Sequence, residues 1–454
     1  LSTFQLEEDR MRRVLIISLA ILFVFATSSA LLAGEQQVSD RLLEILKQRQ
    51  IISDDEFGEL KALANKMQED QSDVDQKLEA LDRSVSEYLS KEGDAEGVAT
   101  THKKGKGFGF STGNFSLYIG GLFQFEYAGI DFDDYRDNNS FRVKENRFNF
   151  AGMAFIEEFT YMFQWQGNGG VTLLDAYGNW DTCEWADLRF GQFKVPYSRQ
   201  YMTSVGKLGF ADRSIVSGGL AVGRDIGVMA HKNLTPMDDD FVLEYAAGIW
   251  NGDGTNVGGN DNNWVAYGGR LGAYPMGMVD YSEGDFDATQ DPMFGLAGSY
   301  FAANNRSGGT DVDVTAWGVD GVFVWNGLYF TAEYLSNRIK PMGEGSYNTD
   351  GWFVQAGFMI PDTDLEVLGR YGDIDWDGAS GLDDTSEWAI GLAWYIQGNG
   401  HPFKVVFQFG SIDTDAKSDS GGSGSGKPDD YYPEFDYDDD GTTNFFRIIF
   451  QLDW

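Results

Sequence analysis

The segment "TNFFRIIFQLDW", residues 443–454, separates its side chains into two sets when every second residue is compared. The wholly apolar set contains Phe446, Ile448, Phe450, Leu452 and Trp454. The intervening residues are mostly polar, and alternation with a period of two predicts a β-strand with one apolar and one polar face. Such a strand fits a soluble β-sandwich or the wall of a membrane barrel, so the rest of the chain must decide.

The composition favours the membrane barrel. The 454 residues include 57 glycines, only nine prolines and 15% aromatic residues, and the mean hydropathy is −0.33. Large barrels have polar side chains facing a water-filled interior, so a low hydropathy is compatible with a membrane location. The net charge of −37 excludes nucleic acid as an expected partner, because it repels phosphates. The single cysteine, Cys183, excludes an internal disulfide bond.

Residues 1–33 are predicted to be a secretory signal peptide with an N-terminal overhang before Met11. Met11 and two arginines precede the apolar run VLIISLAILFVFA and the small-residue sequence TSSA. This order is typical of an export signal that is cleaved after Ala30. A membrane anchor is the alternative, although the run is shorter than the roughly 20 apolar residues that a spanning helix needs.

Residues 34–99 are predicted to form a helical, coiled-coil segment in the periplasm. Ser53–Glu56 has the pattern of a capping box at a helix start. Apolar or aromatic residues then recur every seven positions, at Leu60, Met67, Val74, Leu81 and Tyr88. This heptad pattern predicts a coiled coil, and a lone amphipathic helix is the alternative. The glycine- and lysine-containing residues 100–114 are predicted to be a linker.

Residues 115–454 contain sixteen strand candidates, an even number as bacterial barrels require. Several connections predicted to be periplasmic turns are short, whereas most of the long acidic connections fall on the opposite side. The connection 276–290 is long on the wrong side, and the third outer connection, 194–224, is long without being acidic. In a closed barrel the last strand pairs with the first, which explains the alternating segment 443–454.

Five segments in this part of the chain resemble a known family. They are SFRVKENRFNFAG, TLLDAYGNW, LRFGQFKVPY, DRSIVSGGLAVGRDIGVMAH and LEYAAGIWNGDG. Their succession is similar to that of the phosphate-selective porin O and P family, and the resemblance spans nearly all of 107–454. It implies a trimer in the outer membrane whose third outer loop folds inward. The predicted fold is therefore an all-β transmembrane barrel, a 16-stranded antiparallel porin barrel preceded by an N-terminal α-helical coiled coil.

The C-terminal strand of such barrels carries an assembly signal. Phe450, Leu452 and Trp454 resemble the tag that the barrel-assembly machinery reads, and Trp454 is expected in the periplasmic aromatic girdle.

Alternation also predicts which charged side chains face the lumen, because an Arg or Lys facing lipid near the midplane costs roughly 2–4 kcal/mol. The predicted lumen-facing cations are Arg147, Arg189, Arg270, Arg370, Lys404 and Arg447. Four carboxylates are predicted to join them, namely Glu126, Asp175, Glu333 and Glu366. These charges either form a basic track for anions or pair across strands and only keep the lumen hydrated.

The resemblance implies a constriction at Arg199, Tyr201, Lys207 and Arg213 of the third loop. Phosphate porins of this family use lumen arginines and a central loop lysine to replace the hydration shell of an anion. Tyr201 occupies the position that we align with that lysine, and a phenol cannot supply its point charge. The expectation is therefore a weak preference for anions without phosphate selectivity.

The predicted function is passive diffusion of small anionic or neutral hydrophilic solutes through a homotrimer embedded in outer-membrane lipid. No enzymatic activity, catalytic residue, metal or cofactor is expected, because the three histidines are scattered and no nucleophile motif occurs. The sequence DYDDDG, residues 436–441, begins like a calcium loop but has Arg447 at its twelfth position. The alternative function is that of a structural barrel tethered through its helical neck to the periplasm or cell wall.

Overall fold

The computed structural model describes most of the chain beyond residue 98. The described ranges are 99–103, 107–132, 138–236, 240–260, 264–304, 312–341, 345–376, 382–396, 401–416 and 441–454. The predicted signal peptide and the predicted coiled-coil heptads lie outside these residues. Within them, no helix combines the length and the apolar character needed to cross a membrane.

The described residues form eighteen strands and three short helical turns. The strands are β1 Ala99–Lys103, β2 Gly107–Thr112, β3 Phe115–Phe132, β4 Asn138–Ala154, β5 Ile156–Gln166, β6 Thr172–Cys183, β7 Ala186–Lys194, β8 Arg224–Leu234, β9 Val242–Trp250, β10 Ala266–Tyr274, β11 Met293–Ala303, β12 Val312–Trp325, β13 Leu328–Pro341, β14 Tyr347–Met359, β15 Leu365–Asp375, β16 Leu382–Tyr395, β17 Phe403–Ala416 and β18 Gly441–Asp453. The helical turns are α1 Arg199–Met202, a 3-10 turn Val205–Lys207 and α2 Ile215–Leu220.

Strands β3 to β18 close into an antiparallel barrel, which confirms the prediction of sixteen strands. Each strand pairs with the next, and β18 pairs with β3 from Thr443 opposite Phe132 to Asp453 opposite Leu122. The faces of β18 are as alternation predicts, with Phe446 exposed on the outside and Ile449 buried on the inside. Closure leaves no unpaired barrel edge in this part of the structure.

The predicted linker, residues 100–114, includes most of β1 and the whole of β2. The hairpin turn Gly113-Asn114 returns the chain from β2 to β3, and Phe108 to Thr112 pair with Ile119 to Phe115. The backbone of Trp454 exchanges hydrogen bonds with Gly121 at 2.8 and 2.9 Å. Strands β18 and β2 therefore follow one another along the same edge of β3.

The connection between β10 and β11, residues 275–292, contains the segment 276–290 that is long on the predicted periplasmic side. It folds into the barrel, and we call it the inward turn. Its Val279, Glu283 and Asp285 are buried. The carboxylate of Asp285 accepts a hydrogen bond from the backbone N–H of Gly327 at 2.7 Å. Gly327 belongs to the short turn between β12 and β13, so the inward turn enters from the barrel end where that hairpin lies.

The third loop, residues 195–223, also folds into the barrel and carries the three helical turns. Its α1 is capped by Ser198, whose hydroxyl accepts from the backbone N–H of Tyr201 at 3.0 Å, and Ser214 caps α2 in the same way. Ile215 and Val216 are completely buried in one hydrophobic cluster with inward-facing residues of the strands. The loop therefore supplies much of the apolar core in the barrel interior.

Candidate functional site

The third loop is bound to one side of the barrel wall. Tyr197 donates its hydroxyl to the carbonyl oxygen of Trp317 at 2.8 Å, and Ser198 donates to Glu333 at 2.7 Å. Further along, the backbone N–H of Ile215 donates to Glu387 at 2.8 Å. These partners lie on β12, β13 and β16. The loop thus occupies the lumen against the later strands of the barrel.

The inward turn holds the loop through Glu283. Its carboxylate accepts hydrogen bonds from the Gly209 backbone at 2.6 Å and from the side chains of Gln200 at 2.9 Å and Gln355 at 2.6 Å. The carbonyl oxygen of Glu283 accepts a hydrogen bond from Nε2 of His401 at 2.7 Å. Burial and the nearby Lys404 lower the pKa of His401 well below its usual value, so the imidazole is neutral.

Arg199, which is predicted as a selectivity residue, is buried and does not face the open lumen. Its side chain is 2% exposed, and its guanidinium donates to the carbonyl oxygens of Val279 at 3.0 Å and Asp280 at 2.6 Å. The guanidinium carbon also lies over the ring of Tyr281. Arg199 therefore joins the third loop to the inward turn.

Tyr201 and Arg213 stabilise the loop from within. Two cations lie near the Tyr201 ring, with Nζ of Lys194 at 5.5 Å and the guanidinium carbon of Arg213 at 4.8 Å from its centre. Arg213 donates to the carbonyl oxygens of Gln200 at 3.2 Å and Thr203 at 2.9 Å. Of the four predicted constriction residues, Lys207 is the exposed one.

All six predicted lumen cations point inward, but four of them hold the third loop or the wall in place. Arg270 forms a two-point ion pair with Asp320 at 2.5 and 2.8 Å. Arg370 binds Glu387 at 3.1 Å, and Arg447 pairs with Asp212 of the loop. Lys404 donates to the carbonyl oxygen of Leu208, again in the loop. For Arg270, Arg370 and Arg447 the structure supports the alternative of charge pairing, whereas Lys404 binds a backbone carbonyl oxygen.

The other two predicted cations, Arg147 and Arg189, line a cavity of about 270 Å³ between the third loop and strands β4 to β8. Lys194 and Arg224 line it as well. We call this space the basic cavity and define it by these four residues. It lies across the barrel from β12, β13 and β16, the strands that Tyr197, Ser198 and Ile215 of the loop contact.

The four cations of the basic cavity differ in their partners. Arg224 binds Asp175 through two hydrogen bonds of 2.9 and 3.1 Å, and Arg147 pairs with Glu145 at 2.8 Å. Arg189 donates to the neutral amide oxygen of Asn179 at 3.2 Å. Lys194 donates to three loop carbonyl oxygens, those of residues 201–203, at 2.8–3.2 Å. Within the described residues, therefore, Arg189 and Lys194 have no carboxylate partner.

Alternation alone did not predict Lys194 or Arg224, because both lie at strand ends beside the loop. It also missed Arg142 and Lys144, since a β-bulge changes the register of β4. Gln124 lies opposite Glu145, whereas Phe125 lies opposite Val143, so Lys144 is the extra residue. Its ammonium pairs with Asp212 of the third loop.

The half-buried position of Asp212 depends on these cations. Burial alone would raise the pKa of this carboxyl, but Lys144, Arg447 and Arg142 together lower it well below the usual value. Asp212 is therefore charged at neutral pH and connects the loop to β4 and β18.

Comparisons with known proteins agree with this architecture. The family model described as phosphate-selective porin O and P matches residues 117–422. An anion-selective porin from Comamonas acidovorans has a similar structure, with a TM-score of 0.53 and 12% identity over 75% of this chain and 100% of that chain. The outer-membrane channel DcaP of Acinetobacter baumannii gives a TM-score of 0.50 and 14% identity over 76% and 99% of the two chains.

A comparison with curated proteins gives no match. At such low identities the two solved structures show the barrel fold alone, whereas the family model covers most of the chain and shows its family. The chain belongs to the phosphate-selective porin O and P family and is a passive channel of the outer membrane.

Proposed function

We propose that this channel prefers small anions and that the basic cavity produces the preference. The observation that carries the proposal is the position of Arg189 and Lys194, two cations without carboxylate partners, beside the space left by the third loop. Among the loop residues predicted from the resemblance, Arg199 is buried elsewhere and Arg213 binds loop carbonyl oxygens.

The basic cavity must act against the acidic character of the whole chain, whose net charge is −37. Exposed charges are screened over roughly 10 Å at 0.1 M salt, so distant acidic side chains have little effect inside the lumen. An ion in a narrow passage loses water, and nearby charges act on it through a lower effective dielectric constant. The nearer cations therefore set the sign of the selectivity.

Tight selection of phosphate is not part of this proposal. The ammonium of Lys194 already has three carbonyl partners, and Arg224 and Arg147 already bind carboxylates. Cations that are engaged in this way attract an anion at a distance but have few donors left to replace its hydration shell. The result is a modest anion preference.

The test is the reversal potential across a KCl gradient in planar bilayers. Wild type should prefer chloride, and Arg189→Gln should reduce the preference because it removes an uncompensated positive charge. Arg338→Gln is the matched control, because Arg338 is exposed near the end of β13 and binds Ser346. A preference for cations in wild type, or equal shifts in both variants, would refute the proposal.

We further propose that the protein is exported through residues 1–33, assembles as a homotrimer and carries a helical segment in the periplasm. The family resemblance supports the trimer, and the heptads between Leu60 and Tyr88 support association of the helical segment. The alternating residues Phe450, Leu452 and Trp454 support recognition by the barrel-assembly machinery. Sedimentation of the full chain in detergent, compared with a variant lacking residues 53–92, measures the trimer and the contribution of the heptads.

A further inference from the structure

The basic cavity also has an apolar side. Three methionines from three separate elements line it: Met162 of β5, Met202 of α1 and Met229 of β8. Phe193 and Pro196 complete this apolar part. Met162 and Met202 are only half-buried, so their side chains retain surface toward the open lumen.

An inorganic anion gains nothing from such a surface. Chloride and phosphate are hydrated, and contact with apolar groups removes water without providing a hydrogen bond in return. An aromatic ring gains binding free energy from the same surface. Its apolar surface leaves water, and the thioether of methionine makes favourable contacts with aromatic rings. The apolar side of the cavity therefore favours a different kind of solute.

A guanidinium group of the cavity already lies over aromatic rings of the protein. The guanidinium carbon of Arg189 lies 4.5 Å from the centre of the Tyr177 ring and 5.8 Å from that of Phe193. This arrangement holds the side chain of Arg189 at the boundary between the cationic and apolar sides of the cavity. Planar guanidinium groups stack on aromatic rings and bind carboxylates, so Arg189 suits both parts of an aromatic acid.

We propose that the basic cavity is a binding site for aryl carboxylates, with the carboxylate toward Arg189 and Lys194 and the ring on the methionines. This inference rests on the proposed anion preference and adds the class of solute. A cavity of about 270 Å³ holds roughly nine waters at about 30 Å³ each, so a single-ring acid fits without filling the passage.

The experiment measures block of the chloride current through the full-length channel in planar bilayers. Benzoate, acetate and inorganic phosphate are added separately, and the concentration that halves the current is determined for each. Benzoate should act at a concentration about tenfold lower than acetate, because only benzoate adds ring contacts. The half-blocking concentration of phosphate should be no lower than that of acetate.

Two methionine variants locate the site. Met162→Ser should raise the half-blocking concentration of benzoate about fivefold and leave that of acetate unchanged, because it removes apolar contact and no charge. Met153→Ser is the matched control, since Met153 lies opposite Thr160 on the same inward face but does not line the cavity. It should leave both concentrations unchanged.

The outcomes separate the inference from the proposed function. An anion-preferring channel that benzoate and acetate block equally overturns the inference and leaves the proposed function intact. Strong benzoate block that survives both Met162→Ser and Met202→Ser overturns the location of the site. A cation-preferring channel that none of the three anions blocks overturns the proposed function itself.

Discussion

The guanidinium carbon of Arg199 lies 4.5 Å from the centre of the Tyr281 ring, which brings the third loop and the inward turn into direct contact. Tyr281 in turn donates its hydroxyl to Glu244 of β9 at 2.6 Å. The third loop and the inward turn are separate connections of the chain. The stacking of Arg199 on Tyr281 joins them inside the barrel. Arg199 therefore acts on the position of the loop, and its expected effects are on stability.

Replacement of Arg199 by Ala should destabilise the barrel without changing the sign of its ion selectivity. Hydrogen bonds of a charged group contribute about 1.5–3 kcal/mol, and Ala removes those to Val279 and Asp280. Unfolding in urea, followed by tryptophan fluorescence, measures the loss. Arg199→Lys is the control for charge, because it keeps the cation and loses the planar stack. Unchanged stability together with a large shift in reversal potential would contradict this prediction.

Replacement of Tyr201 by Lys should destabilise the third loop and should not create a phosphate site. Lys194 and Arg213 both lie near the Tyr201 ring, so a lysine there would be a third positive charge. Two like charges about 5 Å apart repel by roughly 3 kcal/mol at an effective dielectric constant of about 20. Tyr201→Phe keeps the ring and should behave like wild type. Stronger phosphate block by a stable Tyr201→Lys channel would show that the prediction is wrong.

Neighbouring residues of β5 should differ in their tolerance of arginine. Phe163 is exposed on the outer face, and Met162 is half-buried on the inner face. Phe163→Arg places a charge in lipid at a cost of roughly 2–4 kcal/mol near the midplane, whereas Met162→Arg places it in water. Folding yields into lipid vesicles, measured by gel mobility, should fall only for Phe163→Arg. Equal yields would refute the assigned faces of β5.

The last strand, β18, is less suited than β5 to a comparison of arginine substitutions on the outer and inner faces. Gln451 faces inward, but it is fully buried and donates to the carbonyl oxygens of Gly206 and His401 at 2.7 Å. Arginine should therefore be rejected on both faces of β18 for different reasons.

Asp212 should make a contribution to stability that disappears in acid. Its folded pKa is lowered, so the contribution is present above the unfolded value of about 3.9 and is lost as the pH falls through the folded value. The difference in unfolding free energy between wild type and Asp212→Asn should be constant from about pH 7 to pH 5 and shrink below that. Asp362→Asn, in an exposed turn, is the control. A difference that grows in acid would contradict the assignment.

Alternation in the sequence is sufficient to predict the class of fold and the direction of many side chains. Alternation along segment 443–454 places Phe446 outside and Ile449 inside, as the structure shows. It also directs Arg147, Arg189 and Arg447 into the lumen, because a strand turns successive side chains to opposite faces whatever their partners are. The resemblance added the expectation of an inward third loop.

The partner of each inward charge depends on contacts that form only in the folded barrel. Arg447 and Asp212 are 235 residues apart in the chain, and only the inward course of the loop brings them together. The bulge at Lys144 and the burial of Arg199 by the inward turn likewise depend on contacts between distant segments. Alternation is a local property of one strand, whereas charge pairing depends on which loop packs against which wall. For that reason the sequence predicted a basic lumen, and the fold selected Arg189 and Lys194 as the cations that remain without carboxylate partners.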